Sequence, residues 1–561
     1  MTGRSRTFVR QCAEAAKRDL GRALTVMRAR GPSQVQFWFL ALLIGVAAGF
    51  AALFFRRGIE ALQAWAYGTD DAAHIHSFAA HLPWYWLVVV PALGGLAVGL
   101  ILHFFTDDGR VRAVSDVIEG AALYQGRVEG RAGVASAIAS LITLGTGGSS
   151  GREGPVVHMA SVISSWVSDR IHAGGVTGRD LLGCAVAAAV SASFNAPIAG
   201  ALFALEVVLR HFAVHAFAPI VIASVAGTVI NRLAFGDVTE FVLPGASALE
   251  FYVELPAYLI LGAICGLVAA ALMRTIFFAE SVASEMQAWI GLPRWLRPAV
   301  TGVLLGVMAI WFPHIIGVGY ETTSAALTGR LVLHEAVVFA VLKVIAVSVT
   351  MAGRMGGGVF SPSLMVGALT GLAFGLIATA IFPEVSGSHT LYALAGMGAV
   401  AAAVLGAPIS TTLIVFEMTG DWQTGLAVMV AVSMSTALGT RLVDRSFFLT
   451  QLERRGVHLA AGPQAYLLAM FRVANLMKPT GDRECPEEED LWEMVEDGTY
   501  VDANASLEAA MPVFEATGAA FLPVLSIGED RQPDLWGALW HVDALKAYNK
   551  ALAATAAEEH S

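Results

Sequence analysis

Two short runs combine the residue types that can hold a small anion without a fixed cation. Gly151-Arg152-Glu153-Gly154-Pro155 opens an apolar segment, with glycine first and proline close behind, which is the pattern of a helix start. Inside a membrane, such a start facing a cavity presents unpaired N–H groups and the positive end of the helix dipole, and together these bind anions. Gly357-Gly358-Val359-Phe360-Ser361-Pro362 reads as a second start of the same kind. Glu153 is the odd member. Ionised, its carboxylate would take the N–H groups for itself and block passage; protonated or displaced, it would free them. The alternative is an acid that simply complements the helix dipole. No nucleophile with a base and no metal-ligand cluster is visible, so neither an enzyme nor a cofactor is expected.

The elements that must position these runs are membrane helices. Of the 561 residues 56% are hydrophobic, 14% are charged and 57 are glycine, with mean hydropathy +0.64. A soluble domain carries about 25% charged residues, so soluble, disordered and disulfide-rich classes are excluded. Apolar stretches long enough to cross or enter a bilayer, roughly 20 residues, lie near 37–55, 84–105, 176–191, 197–233, 253–280, 296–316, 331–352, 362–382 and 389–443. Gly and Pro interrupt many of them, at 145–154, 353–358 and 406–408. Such breaks suit helices that end inside the membrane and turn backbone groups towards a buried cavity.

The chain also repeats itself. Ala196-Pro197-Ile198, then Leu202 and Glu206, recurs as Ala407-Pro408-Ile409, Leu413 and Glu417, an offset of 211, and the two anion-site runs echo each other at about 207. The membrane body, 36–455, therefore divides into halves of about 36–240 and 250–445. An odd number of crossings per half makes the repeats inverted; an even number makes them parallel.

Net charge is −10, from 35 basic and 45 acidic residues, yet residues 480–561 hold 18 acids and 4 bases, so the acidity belongs to the tail. No nucleic-acid partner is implied. Cys12, Cys184, Cys265 and Cys485 are scattered and read as incidental thiols. Residues 1–35 are basic and read as a cytoplasmic amphipathic helix, and Arg441, Arg445, Arg454 and Arg455 place the tail on the same side. Residues 456–499 read as a linker with an acidic run. A small soluble domain at 500–561 follows in β-α-β-β-α order, its first strand drawn from as early as 473–477.

Gly-Arg-Glu-Gly-Pro at 151–155, Gly-Gly-Val-Phe-Ser-Pro at 357–362 and Asn195-Ala196-Pro197 running to Glu206 resemble the signatures of the CLC family of chloride channels and anion/proton antiporters. The resemblance covers about 36–455. It implies an all-α polytopic fold of two inverted repeats of tilted and re-entrant helices, and a homodimer with one anion pathway per subunit. It also implies that Glu153 is the gating glutamate and that the backbone amides of Gly154, Val359 and Phe360 are anion ligands. The tail resembles a single CBS motif, through Val473 to Met477 and Gly537 to Asp543. Trp540 stands where nucleotide-binding versions carry Ser or Thr, so a nucleotide is not expected there.

Three departures from the family pattern bear on function. Val207 stands where antiporters usually carry an internal proton-relay glutamate. Phe448 replaces the pore tyrosine and keeps only the ring. In the loop where the family has Gly-Ser-Gly-Ile-Pro-Glu, one register puts Arg112 at the anion-coordinating serine and another puts Ala113 there. Arg112 would either bind the anion or point to cytoplasmic water. Lys343 reads as a snorkelling or carbonyl-paired cation, His158 as a packing histidine or a proton relay, and Glu206 and Glu417 as acids bonding neighbouring backbone. The expected function is transport of an anion, chloride first, through a Glu-gated pathway in the cell (inner) membrane, channel-like or weakly proton-coupled, with both termini cytoplasmic. The rivals are a proton-coupled antiporter with a non-standard proton route, a carrier of another anion using Arg112, and a membrane sensor with a vestigial pore.

Overall fold

The computed structural model describes residues 32–68, 74–212, 214–236, 241, 254–384, 386–457, 459, 468, 471–503, 505–527 and 533–559. The amphipathic helix expected within 1–35 falls almost wholly outside them. The first half comprises α1 (Gln34–Tyr67), α2 (Trp84–Phe105), α3 (Val114–Leu123), α4 (Gly130–Gly145), α5 (Glu153–Ile171), α6 (Gly175–Phe194), α7 (Pro197–Phe203, continued by a π-turn, Ala204–Leu209) and α8 (Val214–Phe235). The second comprises α9 (Leu255–Ile290), α10 (Arg297–Trp311), α11 (Tyr320–Leu327), α12 (Leu333–Ala352), α13 (Phe360–Ile381), α14 (His389–Leu405), α15 (Pro408–Thr419), α16 (Trp422–Leu442) and α17 (Phe447–Glu453). Among the described residues seven helices are long and apolar enough to cross a membrane.

Local sequence explains the matching breaks. Asn195 (φ 58°) and Gly406 (φ 68°) end α6 and α14 in the left-handed conformation, and Pro197 and Pro408 then start α7 and α15, where a proline lacks only an N–H that would be unpaired anyway. Close helix packing uses the small residues: a Cβ on Gly371 would sit 2.1 Å from the Tyr392 carbonyl oxygen, so α13 and α14 meet backbone to backbone.

The two halves cap each other. The Glu417 carboxylate accepts from the backbone N–H of Ile198 (3.0 Å) and Ala199 (2.8 Å). Glu206 accepts from Ile409 (3.0 Å) and Ser410 (2.8 Å). An acid near the end of each helix therefore satisfies the first turn of the other, which requires α7 and α15 to run antiparallel. The repeats are inverted. Both acids bond neighbouring backbone, and Val207, beside Glu206 in the π-turn, is buried and apolar.

The tail forms a four-stranded sheet in the order β1-β4-β3-β2, from β1 (Lys478–Pro479), β2 (Val501–Asp502), β3 (Phe521–Ile527) and β4 (Pro533–Trp540), with α18 (Glu488–Glu496), α19 (Leu507–Thr517) and α20 (His541–Glu559). Two features differ from the sequence reading. The acidic run is the helix α18 rather than a linker, because Leu491 is buried and Met494, three residues on, packs on the tail's core while the acids face out. The first strand, drawn from as early as 473–477, is instead Lys478–Pro479; Val473 to Asn475 form a 3-10 turn, with Val473 fully buried beside Leu507, Phe514 and Leu522.

Glu206→Ala leaves two helix-start N–H groups of α15 without their carboxylate. This should cost about 1–3 kcal/mol, read as a lowered melting temperature in detergent; an unchanged melting temperature would contradict the capping role.

Candidate functional site

The loops before α5 and α13 meet at the centre of the body. Gly151 N–H donates to the Gly358 carbonyl (2.7 Å) and Gly358 N–H donates to the Gly151 carbonyl (2.8 Å). Around this bridge, Ser149 N–H donates to Thr350 Oγ1 (3.2 Å), Ser150 Oγ to the Gly356 carbonyl (3.0 Å), and Gly356 N–H to Thr143 Oγ1 (3.0 Å). Gly357 sits at φ 129°, and a Cβ there would lie 2.0 Å from Ser150 Oγ, so only glycine fits. Each loop thus spends its backbone polar groups on the other, and the two helix starts face a shared space.

That space is a cavity of about 20 Å³, room for roughly one small occupant, lined by Glu153, Gly154, Val359, Phe360 and Phe448 together with Ala113, Val114 and Gln451. Glu153 is 2% exposed, and its carboxylate accepts a hydrogen bond from the Ser361 hydroxyl in the first turn of α13. The acid of one half is therefore anchored to the helix start of the other. Phe360 packs between Phe194 and Phe203, at 4.7 and 5.7 Å between ring centroids, and Phe448 closes the side nearest the tail.

Arg112 lies outside this cavity. Its guanidinium pairs with Asp108 (2.8 Å) and Glu129 (2.8 Å) and lines a separate chamber of about 730 Å³ with Arg110, Asp116, Glu119 and Arg472. Ala113 takes the cavity wall instead, the second of the two registers. The physical reason is the three carboxylates Asp108, Asp116 and Glu129, which hold the guanidinium on the tail side. His158, 1% exposed, lines the same chamber, and neither ring nitrogen has a hydrogen-bond partner among the described residues. Lys343 is fully buried and donates to the carbonyls of Ile315 (3.3 Å) and Gly317 (2.9 Å). It is carbonyl-paired and is not among the residues that line the cavity.

Between the cavity and the tail side lies a vestibule of about 470 Å³, which shares Ala113, Met351, Gly357 and Gln451 with the cavity and adds Arg110, Arg354, Arg454 and Arg455 against Glu280 and Glu285. Its excess of guanidinium groups draws anions towards the cavity. Arg110, Arg354 and Gln451 are absent from the sequence reading, which has Ser361 only as part of its motif and Arg454 and Arg455 only as marks of the membrane side. A signal existed for Gln451, which lies three residues after Phe448 on one helix face.

The Asp108–Arg112 pair has a pH signature. Burial opposes the Asp108 charge, yet hydrogen bonds from Arg112 and Arg110 hold its carboxyl down at about 2 against an ordinary 3.8. A depressed acid stabilises fully above its unfolded value and loses that stability as pH falls through its folded one, so this brace is complete above about pH 4 and gone near pH 2. Asp108→Asn should remove that stretch of the acid-unfolding profile; the same slope between pH 4 and 2 in both proteins would contradict the assignment.

A model described as voltage gated chloride channel matches residues 93–440. The chain is 32% identical over 396 residues to a ClcB-like chloride channel protein of Ralstonia nicotianae, covering 70% of this chain and 91% of that one. The crystal structure of a slow cyanobacterial Cl⁻/H⁺ antiporter shares the fold with TM-score 0.66 at 19% identity, over 75% of this chain and 97% of that one. The crystal structure of a eukaryotic CLC transporter does so with TM-score 0.66 at 17% identity, over 93% and 98%.

Proposed function

The chain belongs to the CLC family of voltage gated chloride channels and transports anions across a membrane, and from that premise we propose that chloride is the main permeant ion and that Glu153 gates its path. The contact that carries this reading is the Glu153 carboxylate held by Ser361 inside a cavity walled by both halves. Ionised and anchored, the carboxylate fills the position between the two helix starts that an anion would take. Once neutral, or pushed aside by an arriving anion, it leaves the N–H groups of Gly154, Val359 and Phe360 to that anion. No full positive charge lines the cavity, so binding stays weak enough for the ion to leave.

We read the pathway as passive or weakly proton-coupled. Support comes from the tail side, where Val207 cannot carry a proton and the carboxylate of Glu206 is committed to the N–H groups of Ile409 and Ser410. A proton-coupled rival rests on His158, buried beside the Arg112 chamber with both ring nitrogens unpartnered. The arginines at 110, 354, 441, 445, 454 and 455 favour a cytoplasmic tail side in the cell membrane, and two copies, each with its own pathway, complete the proposed assembly. At the CBS-like tail, Trp540 donates to the Glu484 carbonyl (2.9 Å) and packs on Phe521 (5.3 Å), which commits its indole and supports a tail that takes no nucleotide. No catalytic step is assigned to the chain.

In liposomes, Glu153→Gln should raise chloride flux at neutral pH by about tenfold, the scale of one hydrogen bond to a charged group, and flatten its pH dependence. Wild-type flux and pH dependence in that variant would rule out the gate. A chloride gradient should drive little proton uptake; strong uptake that His158→Gln abolishes would establish the rival.

A further inference from the structure

The central cavity is almost devoid of side-chain donors. Of the residues around it, two carry polar side chains: Glu153 between the helix starts and Gln451 at the tail-side end. Gln451 stands on α17, one turn after Phe448, and also lines the vestibule. Its side-chain amide engages no partner among the described residues. Ala113 and Phe448, which line the cavity together with Gln451, carry no hydroxyl.

An anion passing from the vestibule into this space sheds water against Ala113, Met351, Phe447 and Phe448, and a bare apolar wall offers nothing in return. A primary amide has two N–H donors and an acceptor oxygen. With the NH2 group turned to the cavity, the amide oxygen is left to the vestibule, where Arg354, Arg454 and Arg455 stand. We infer that Gln451 is the side-chain ligand for a small inorganic anion at the tail-side end of the cavity, in place of the missing hydroxyls, and that it sets which anions pass. This rests on the cavity being the anion path. A neutral donor at this point adds binding without the trapping that a fixed cation would bring, and it favours ions such as chloride that gain most from a direct N–H contact.

The test uses the full-length protein, with chloride binding measured by calorimetry in detergent and chloride and nitrate flux measured in liposomes. Gln451→Leu keeps the volume and removes the donors; it should weaken chloride binding about tenfold and raise the nitrate to chloride flux ratio. Adding Phe448→Tyr to that variant should recover much of the chloride affinity, which a merely structural role for Gln451 would not allow. Gln451→Glu should abolish chloride binding and serves as the readout where the leucine variant fails to fold. Wild-type affinity and flux ratio in either variant would overturn the inference while leaving the anion pathway standing. Absence of anion binding and flux in the wild type would overturn both.

Discussion

The reciprocal backbone hydrogen bonds between Gly151 and Gly358 are the constraint on which the pathway depends. A helix that stops inside a membrane exposes backbone groups that no lipid can satisfy. Here two such stops, one from each half, satisfy each other, and what remains unpaired at the helix starts is turned inward to one cavity. The same exchange recurs where Glu206 and Glu417 cap each other's helices across the repeat. Neither half could keep its broken helices in a bilayer alone, so the repeat and the site arise from one requirement.

Charge is used sparingly at this centre. Permanent cations stand in the vestibule, where Arg354, Arg454 and Arg455 gather anions, while Arg112 is tied down by three carboxylates outside the cavity. In the proposed pathway, backbone dipoles and neutral donors hold the ion inside. Glu153 is the single ionisable group in the cavity lining among the described residues, which is why the proposed gate rests on its carboxylate. The proposed passive or weakly coupled pathway rests on Val207, which carries no acid, and on Glu206, whose carboxylate caps Ile409 and Ser410.

Much of this was legible in residue types. Glycine before and proline after Glu153 marked a helix start, the offset of 211 marked the repeat, and scarcity of charge marked the body as membrane. Four things were not. Residue types alone left the direction of the second half open; the family resemblance implied inversion, and the Glu417 carboxylate on the N–H groups of Ile198 and Ala199 shows it. The register of the loop at 111–113 could not be fixed, since a shift of one residue exchanges Arg112 for Ala113 and the deciding carboxylates come from 108, 116 and 129. The acidic run at 487–497 hid the helix α18, because buried Leu491 and packed Met494 are outnumbered by acids on the solvent face. Gln451 was overlooked for a related reason, as its meaning depends on what Ala113 and Phe448 lack.

The central claim is that the Glu153 carboxylate and a permeant anion compete for one place between the starts of α5 and α13. Bromide anomalous scattering from crystals of the wild type and of Glu153→Gln tests it most directly. The account predicts a bromide peak at the amides of Gly154, Val359 and Phe360 that strengthens in the variant as the neutral side chain gives up its place. An empty cavity in both proteins, with bromide confined to the vestibule arginines, would contradict it.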